Sequence, residues 1–411
     1  MKLLYFTIQI NMLGGLAKIV IEKINWLVAH GYDVTLCNIE RLDVVPAYPI
    51  DPKVKLLRGD ISTVPGGALT RLKGVLGAVK RTREIIVQEK PDVIVNAHCP
   101  LVTWILPFIK LKVKSEKLKI NRYRPLIITE MHQSRQGLEV FNLQFMGTFS
   151  RWLHRWSIRW IYGRYDKFVV LTNGDREQWN TKNCVVIPNF SSISAHTEKT
   201  AHTELTDSTE FMPERKLGKN EEKISVSSVR DKHQIIMLAR LMPQKRIDLM
   251  IEVWAKLAKD FPNWQVKVLG DGMLKEELES MVERLGIKDS FLLLGGVKDV
   301  SSELENSDIL CLTSEYEGFG IVLIEAMLKS IPVMAFEYVG VHDIIENGVD
   351  GYVVTFGDVD AYADRLRELM TSEEQRRKFA KSALESVKKF DKERVMNMWV
   401  ELFQSLRRQS P

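Results

Sequence analysis

The sequence predicts an α/β protein of two doubly wound domains facing one another across a central cleft. Three observations carry that expectation. A strand, glycine turn, helix, strand unit opens the chain and recurs to residue 190; a Ser/Thr-rich stretch interrupts it at 191–232; and the same rhythm restarts at Ile235. Lys2–Gln9 reads as an apolar strand, followed by Gly14-Gly15, a helical run Leu16–His30, and the strand Val34–Ile39. A helix over Ala68–Glu89 precedes the strand Asp92–Ala97, and further strands are expected at Leu126–Thr129, Lys167–Leu171 and Cys184–Ile187. Twelve of the 42 residues at 191–232 are Ser or Thr and Phe211 is the sole aromatic, so this stretch cannot bury enough apolar surface to offset its ordering entropy. It is expected to be a polar linker or insert. Beyond it, strands are expected at Ile235–Ala239, Gln265–Leu269, Phe291–Leu294, Ile309–Leu312, Val333–Phe336 and Gly351–Val354. Helices are expected at Arg246–Lys259, Leu274–Leu285, Glu317–Leu328, Val359–Met370 and Ser372–Lys389. The domains are therefore 1–190 and 233–390. The final helix, Lys392–Arg408 within 391–411, can pack on either domain, including back on the N-terminal one.

The composition bounds the function. At 411 residues and 45% hydrophobic the chain is long enough for two or three packed domains, and no 18-residue apolar run reads as a membrane-spanning helix. The opening Met1–Ile10 reads as a first strand, not as a signal peptide. Cys37, Cys99, Cys184 and Cys311 are scattered with no C-x-x-C pair, which fits buried thiols in a reducing, cytoplasmic setting. Charge is unevenly spread: residues 1–190 carry 28 Lys and Arg against 15 Asp and Glu, net +13, and residues 191–411 carry 30 against 38, net −8. A basic half and an acidic half imply different partners.

The densest chemical signal is Ser314-Glu-Tyr-Glu-Gly-Phe-Gly-Ile-Val-Leu-Ile-Glu-Ala-Met327, which runs from an apolar strand through a glycine turn into a helix. Such a turn offers free backbone N–H groups and a helix dipole to an anion, and a diphosphate suits it. Glu317 in the turn and Glu325 in the helix are carboxylates able to accept from hydroxyl groups on either side of that anion, as a nucleotide sugar would present them. A second signal is Ala239-Arg240-Leu241 with Lys245 and Arg246, basic groups at a strand's C-terminal end that can neutralise phosphate; Arg246 reads as a surface residue. Gly270-Asp271-Gly272 permits close backbone approach at another strand end. Gly14-Gly15 is not a G-x-G-x-x-G fingerprint, so a dinucleotide site is not supported, but it offers N–H groups at a helix start.

In this order, and with the tail from Pro332-Val333 to Gly351-Tyr352, the motifs resemble those of the retaining glycosyltransferases of family 4, of the GT-B fold with two Rossmann-like domains. The resemblance spans almost the whole chain except 191–232 and the basic stretch near 110–124. It implies that Arg240 and Lys245 bind the donor diphosphate and stabilise its charge as the glycosidic bond breaks. It places Glu325 on the ribose hydroxyls and Glu317 on the donor sugar, with the backbone of Gly318, Phe319, Gly320, Ile321 and Val322 around the phosphates. Gly296 and Val297 lie where the family contacts the base, and His132 matches a histidine beside the donor sugar; His98 is a weaker candidate. Arg240, Lys245, Glu317 and His132 form the implied catalytic set, and Gly14, Gly15, Gly270, Asp271 and Gly272 complete the donor site. The family needs no carboxylate dyad of the glycosidase kind. No metal or other cofactor is expected, since the lysine and arginine do a cation's work and no Asp-x-Asp motif is evident. Two departures stand out: Ala239 replaces the family's glycine before Arg240, and Val339-Gly340-Val341-His342-Asp343 replaces a commoner version of that loop.

Arg151, Arg155 and Arg159 recur every four residues, as do Trp152, Trp156 and Trp160, giving adjacent basic and tryptophan stripes on a helix. With seven basic residues against Glu116 in Lys110–Arg124, this half reads as a peripheral face for the anionic inner side of a cell membrane. No nucleic-acid motif accompanies it. The sequence thus points to transfer of a sugar from a UDP- or GDP-linked donor to a saccharide or lipid-linked saccharide acceptor in surface-polysaccharide synthesis. A sugar phosphorylase or epimerase on the same fold, and a catalytically silent nucleotide-sugar-binding scaffold, stand beside it as alternatives.

Overall fold

The structure is a computed structural model that describes residues 1–8, 10–11, 14–39, 45–61, 68–97, 99–109, 125–135, 157–191, 193, 232–297 and 299–408. The expected insert at 191–232, apart from Ser191, Ile193 and Lys232, lies outside these residues, as do the basic stretch 110–124, His98, Arg151, Trp152, Arg155 and Trp156.

Two parallel sheets form. The first contains β1 (Lys2–Thr7), β2 (Asp33–Asn38), β3 (Lys55–Arg58), β4 (Val93–Ala97), β5 (Leu126–Glu130), β6 (Lys167–Val170) and β7 (Cys184–Val186), in the spatial order 3-2-1-4-5-6-7. The second contains β8 (His233–Leu238), β9 (Trp264–Leu269), β10 (Phe291–Gly295), β11 (Ile309–Leu312), β12 (Val333–Phe336) and β13 (Gly351–Val354), in the order 10-9-8-11-12-13. Strands β4, β11 and β12 are buried along their whole length, because helices cover both faces of a parallel sheet; that is why they read as unbroken apolar runs. In each sheet the strand order reverses once, between β1 and β4 and between β8 and β11. Ligands of open α/β sheets bind in the crevice at such a reversal, outside the carboxyl ends of the strands.

The helices that matter for the cleft are α1 (Gly15–Ala29), α2 (Ala68–Glu89), α3 (Pro100–Ile105) and α4 (Asn173–Trp179) in the first domain. In the second they are α5 (Ile247–Leu257), α6 (Lys275–Arg284), α7 (Val300–Glu305), α8 (Ile321–Leu328), α9 (Val359–Thr371) and α10 (Glu373–Ser386). Four helices start later than the sequence pattern suggests, α5, α6 and α10 by one residue and α8 by four. Lys245 closes a 3-10 turn over Pro243–Lys245 and Arg246 takes a left-handed φ of 46°, so α5 opens at Ile247. Residues 317–320 form a loop whose last glycine, Gly320 at φ 83°, caps α8, which opens at Ile321 and not at Glu317.

The final helix, α11 (Lys392–Arg408), crosses back to the first domain. Val395, Met396, Trp399, Leu402, Phe403 and Leu406 join the core beside β1, β2 and α1, and Trp26 Nε1 donates to Glu393 Oε1 at 2.7 Å. This helix ties the two domains together from behind the cleft.

Candidate functional site at the sheet reversals

The loop after β8 carries Arg240 and Lys245; the loop after β11 carries Glu317 and leads to Gly320 and α8. They are stitched into one surface. Glu315 N donates to Gln244 O at 2.9 Å, Thr313 Oγ1 to Lys245 O at 2.9 Å, and Leu241 N to Asp271 O at 3.0 Å. Lys245 Nζ lies 2.6 Å from Glu317 Oε1, which also accepts from Ser314 Oγ at 2.7 Å. Arg240 is exposed, and its guanidinium makes no ion pair with the described residues. Arg246 is half-buried and forks onto Asp248, Nε to Oδ1 at 3.1 Å and Nη2 to Oδ2 at 2.8 Å, with its guanidinium 5.6 Å from the centre of the Phe356 ring.

The glycines explain how the loops come so close. A Cβ on Gly270 would sit 2.1 Å from Ala239 O, and one on Gly272 would sit 2.3 Å from Leu241 O. Asp271 Oδ2 accepts from Gly296 N at 2.8 Å. Gly270, Asp271 and Gly272 therefore serve loop-to-loop packing beneath Arg240, while Gly296 is exposed and Val297 half-buried at the rim. The Phe319 side chain is buried edge-on against Phe390, and its carbonyl accepts from Tyr338 Oη at 3.2 Å.

The first domain closes over this surface. Gly14 is extended and its N–H donates to the Tyr48 hydroxyl at 3.3 Å, while Gly15 opens α1. A Cβ on Gly15 would lie 3.8 Å from Ile321 Cγ2, so the N-terminal ends of α1 and α8 meet across the cleft. Both ends bring unpaired N–H groups and positive dipole ends to one place, which is what an anion needs. The Gly318 backbone presses on His132, whose carbonyl oxygen would stand 2.0 Å from a Cβ there. His132 is nearly buried, and its Nε2–H donates to Glu130 Oε2 at 3.0 Å. The same Glu130 oxygen accepts from Lys23 Nζ, a fully buried ammonium beneath Trp399. Burial pushes the Glu130 carboxyl up, but Lys23 and His132 outweigh it and hold the group below its ordinary value.

Glu325 is 7% exposed and meets Lys18 Nζ, from the other domain, at 3.2 Å. Burial raises its pKa, against the pull of Lys18. Lys18, Lys23 and Glu130 were not singled out in the sequence. A lysine one turn inside a helix N-terminus is a signal for the first, because the dipole there disfavours a cation without a counter-charge. A lysine within the apolar run Ile19–Val28 is a signal for the second. A cavity of about 490 Å³ lies between the domains; its lining includes Glu177, Glu315, Glu337 and His342 but neither Arg240 nor Lys245.

In the first domain, residues 157–162 are helical. Arg159 donates to Asn180 O at 2.8 Å, and Trp160 is 40% exposed with the Arg164 guanidinium 3.9 Å over its ring. No helix among the described residues is long and apolar enough to cross a membrane.

Comparison with known proteins agrees with this geometry. Residues 13–193 match the family model described as Glycosyltransferase Family 4, and residues 218–386 match that of Glycosyl transferases group 1. The chain is 26% identical over 404 residues to the amylovoran biosynthesis glycosyltransferase AmsD of Erwinia amylovora, covering 97% of this chain and 98% of that one. Its fold resembles a sucrose-phosphate synthase from Thermosynechococcus elongatus (TM-score 0.76, 15% identity, 100% of both chains). It also resembles Anabaena HepE in complex with UDP (TM-score 0.68, 17% identity, 98% of this chain and 100% of that one). With one family model over each domain, a relative matched from end to end, and the loops of both sheets meeting at their reversals, the chain belongs to the glycosyltransferases of the GT-B fold.

Proposed function

We propose that the chain moves a sugar from a nucleoside diphosphate donor, UDP- or GDP-linked, to a saccharide or lipid-linked saccharide acceptor of a surface polysaccharide, with retention at the anomeric carbon and without a metal. The observation that carries this reading is the Lys245–Glu317 pair at the β8/β11 reversal, beside an exposed Arg240 and beneath two converging helix N-termini. Arg240 and Lys245 take the diphosphate and stabilise its charge as the bond from the anomeric carbon to the phosphate oxygen breaks. The acceptor hydroxyl attacks from the face the nucleotide leaves, and its proton passes to the departing phosphate. Glu317 and His132 contact the donor sugar, Glu325 the ribose, and Gly296 and Val297 the base. The name of the Erwinia relative and the UDP complex of HepE support this choice of reaction and donor class.

Thermal shift against UDP-, GDP-, ADP- and CDP-sugars without added metal tests it, since a ligand of the native state alone raises the melting temperature. One nucleotide class is expected to stabilise the protein, Lys245→Ala and Glu325→Ala to bind it at least tenfold more weakly, and nucleoside diphosphate to be released only with acceptor present. Equal affinities in the variants and the parent would remove the site from this pocket.

The exposed Trp160, with Arg164 stacked on it and Phe108 5.7 Å away and 50% exposed, supports attachment at an anionic membrane surface. Flotation with anionic vesicles, lost at high salt and weakened by Trp160→Ala, is the expected outcome; salt-independent binding to neutral vesicles would overturn it.

A further inference from the structure

We propose that Lys18 is a positioning residue of the donor site, reaching across from the N-terminal domain to hold the Glu325 carboxylate in place for the ribose hydroxyls. This rests on the donor-site reading above and adds a residue to it from the opposite domain.

The geometry starts from two helices whose N-terminal turns lie side by side. Gly15 opens α1 against Ile321, which opens α8, and the Ile321 side chain packs against the core of the first domain. Three residues on along α1 and four along α8 is about one helical turn on each, so the next contact in register is Lys18 with Glu325, 3.2 Å apart. The side chains are 23% and 10% exposed, enough burial to make a lone carboxylate costly and enough opening for a ligand to reach it. Glu22, one turn further along α1, adds a like charge near Glu325. Lys18 is thus the cation beside Glu325 at a place where a second carboxylate comes near and hydroxyl groups would donate. Without it, Glu325 is a buried acid that gains stability by taking up a proton, and a neutral carboxyl is a poorer acceptor for two hydroxyls.

The consequence is mechanical as well as electrostatic. Glu325 belongs to one domain and its cation to the other, so the ribose subsite is complete only when the domains are together. A donor with intact ribose hydroxyls favours the closed arrangement, and one without them does not.

The test measures dissociation constants of the full chain for UDP and GDP and for their 2′,3′-dideoxy counterparts, by calorimetry. Lys18→Met is expected to weaken the ribonucleotide that binds the parent by about tenfold or more and its dideoxy counterpart by less than about twofold. Lys18→Arg is expected to recover most of the loss, and Lys18→Met added to Glu325→Gln to cost no more than Glu325→Gln alone. Wild-type affinity in Lys18→Met, or an equal loss for both kinds of nucleotide, overturns the role of Lys18 while leaving the donor site standing. Failure of the parent to bind either ribonucleotide removes the donor-site reading and this proposal with it.

Discussion

Among the described residues, two of the seams between the domains are made of opposite materials. At the first, Gly15 faces Ile321 and contact is completed by the tips of two long charged side chains, Lys18 and Glu325. At the second, the Asp343 carboxylate accepts from the Asn173 and Gly174 backbone N–H groups at 3.0 and 3.3 Å and from the Asn173 amide at 2.7 Å. There Gly174 and Gly340 also pack backbone to backbone, a Cβ on Gly174 falling 2.9 Å from Gly340 N. An ammonium on four methylenes can follow its carboxylate partner through small movements, whereas a carboxylate seated on the first turn of α4 cannot yield without moving the helix. The second seam therefore fixes the angle at which the cleft walls face each other, and the first is the one the proposed donor site uses. Between them lies Gly318 against His132, a contact of backbone on backbone that joins the 317–320 loop to the other wall.

That division of labour is most severely tested at Gly318. Its missing Cβ leaves 2.0 Å to the His132 carbonyl, and no rotamer change relieves such a contact, so Gly318→Ala must push the domains apart. Misplacement by about an ångström can cost on the order of a hundredfold in rate, and initial rates are expected to fall by at least that much while the melting temperature stays within a few degrees of the parent. Parental rates in this variant would mean that the two walls separate during turnover. Asp343→Ala comes next. It strips three hydrogen bonds from the N-terminus of α4, with an expected rise in donor KM of about tenfold and a loss of stability of roughly 1–2 kcal/mol, read from kinetics and urea unfolding. Asp343→Asn keeps one acceptor oxygen and should fall between that variant and the parent. If Asp343→Ala moves only stability, the second seam is a fold element and does not set the cleft.

The contrast between seams also marks what was legible in the sequence. Strands such as Ile309–Leu312 and Val333–Phe336, and the helix Lys392–Arg408, were readable because burial on a sheet or along one helix face imposes a local apolar pattern. β3 left no such trace: its Lys-Leu-Leu-Arg sits at a sheet edge with only one residue half-buried, and the six- and seven-residue helices α3, α4 and α7 are too short for periodicity to show. In the site, Arg240, Lys245 and Glu317 were visible because each follows a strand end with a glycine or proline turn beside it. Lys18–Glu325 spans 307 residues and Asn173–Asp343 spans 170, so their pairing is a property of how two sheets face, and neither residue carries it locally. The glycines at 270 and 272 were legible as tight turns, but the neighbour they make room for, the Ala239–Leu241 backbone, emerges only from the strand order.

The smallest expected effect sharpens the second seam through pH. Asp175 is buried at the start of α4; its Oδ2 accepts from Thr172 Oγ1 at 2.7 Å and its Oδ1 has no hydrogen-bond partner among the described residues. Burial pushes its carboxyl from 3.8 to about 7, the Thr172 hydroxyl pulling it down and the nearby Asp343 charge pushing it further up. Below about pH 4 the folded and unfolded chains both hold this proton; between there and pH 7 only the folded chain does, so the stability it contributes is lost as pH rises and is gone above the folded midpoint. The parent is therefore expected to lose a few degrees of melting temperature between pH 5 and pH 8 relative to Asp175→Asn, which has no proton to lose. Asp343→Asn removes the like charge across the seam, lowers the Asp175 midpoint and makes the slope shallower than the parent's. Parallel profiles for the parent and Asp175→Asn would show that Asp175 is ionised throughout this range. Parallel profiles for the parent and Asp343→Asn alone would show that the two carboxylates do not sense each other, and the seam would then be held by the Asp343 hydrogen bonds without a charge term.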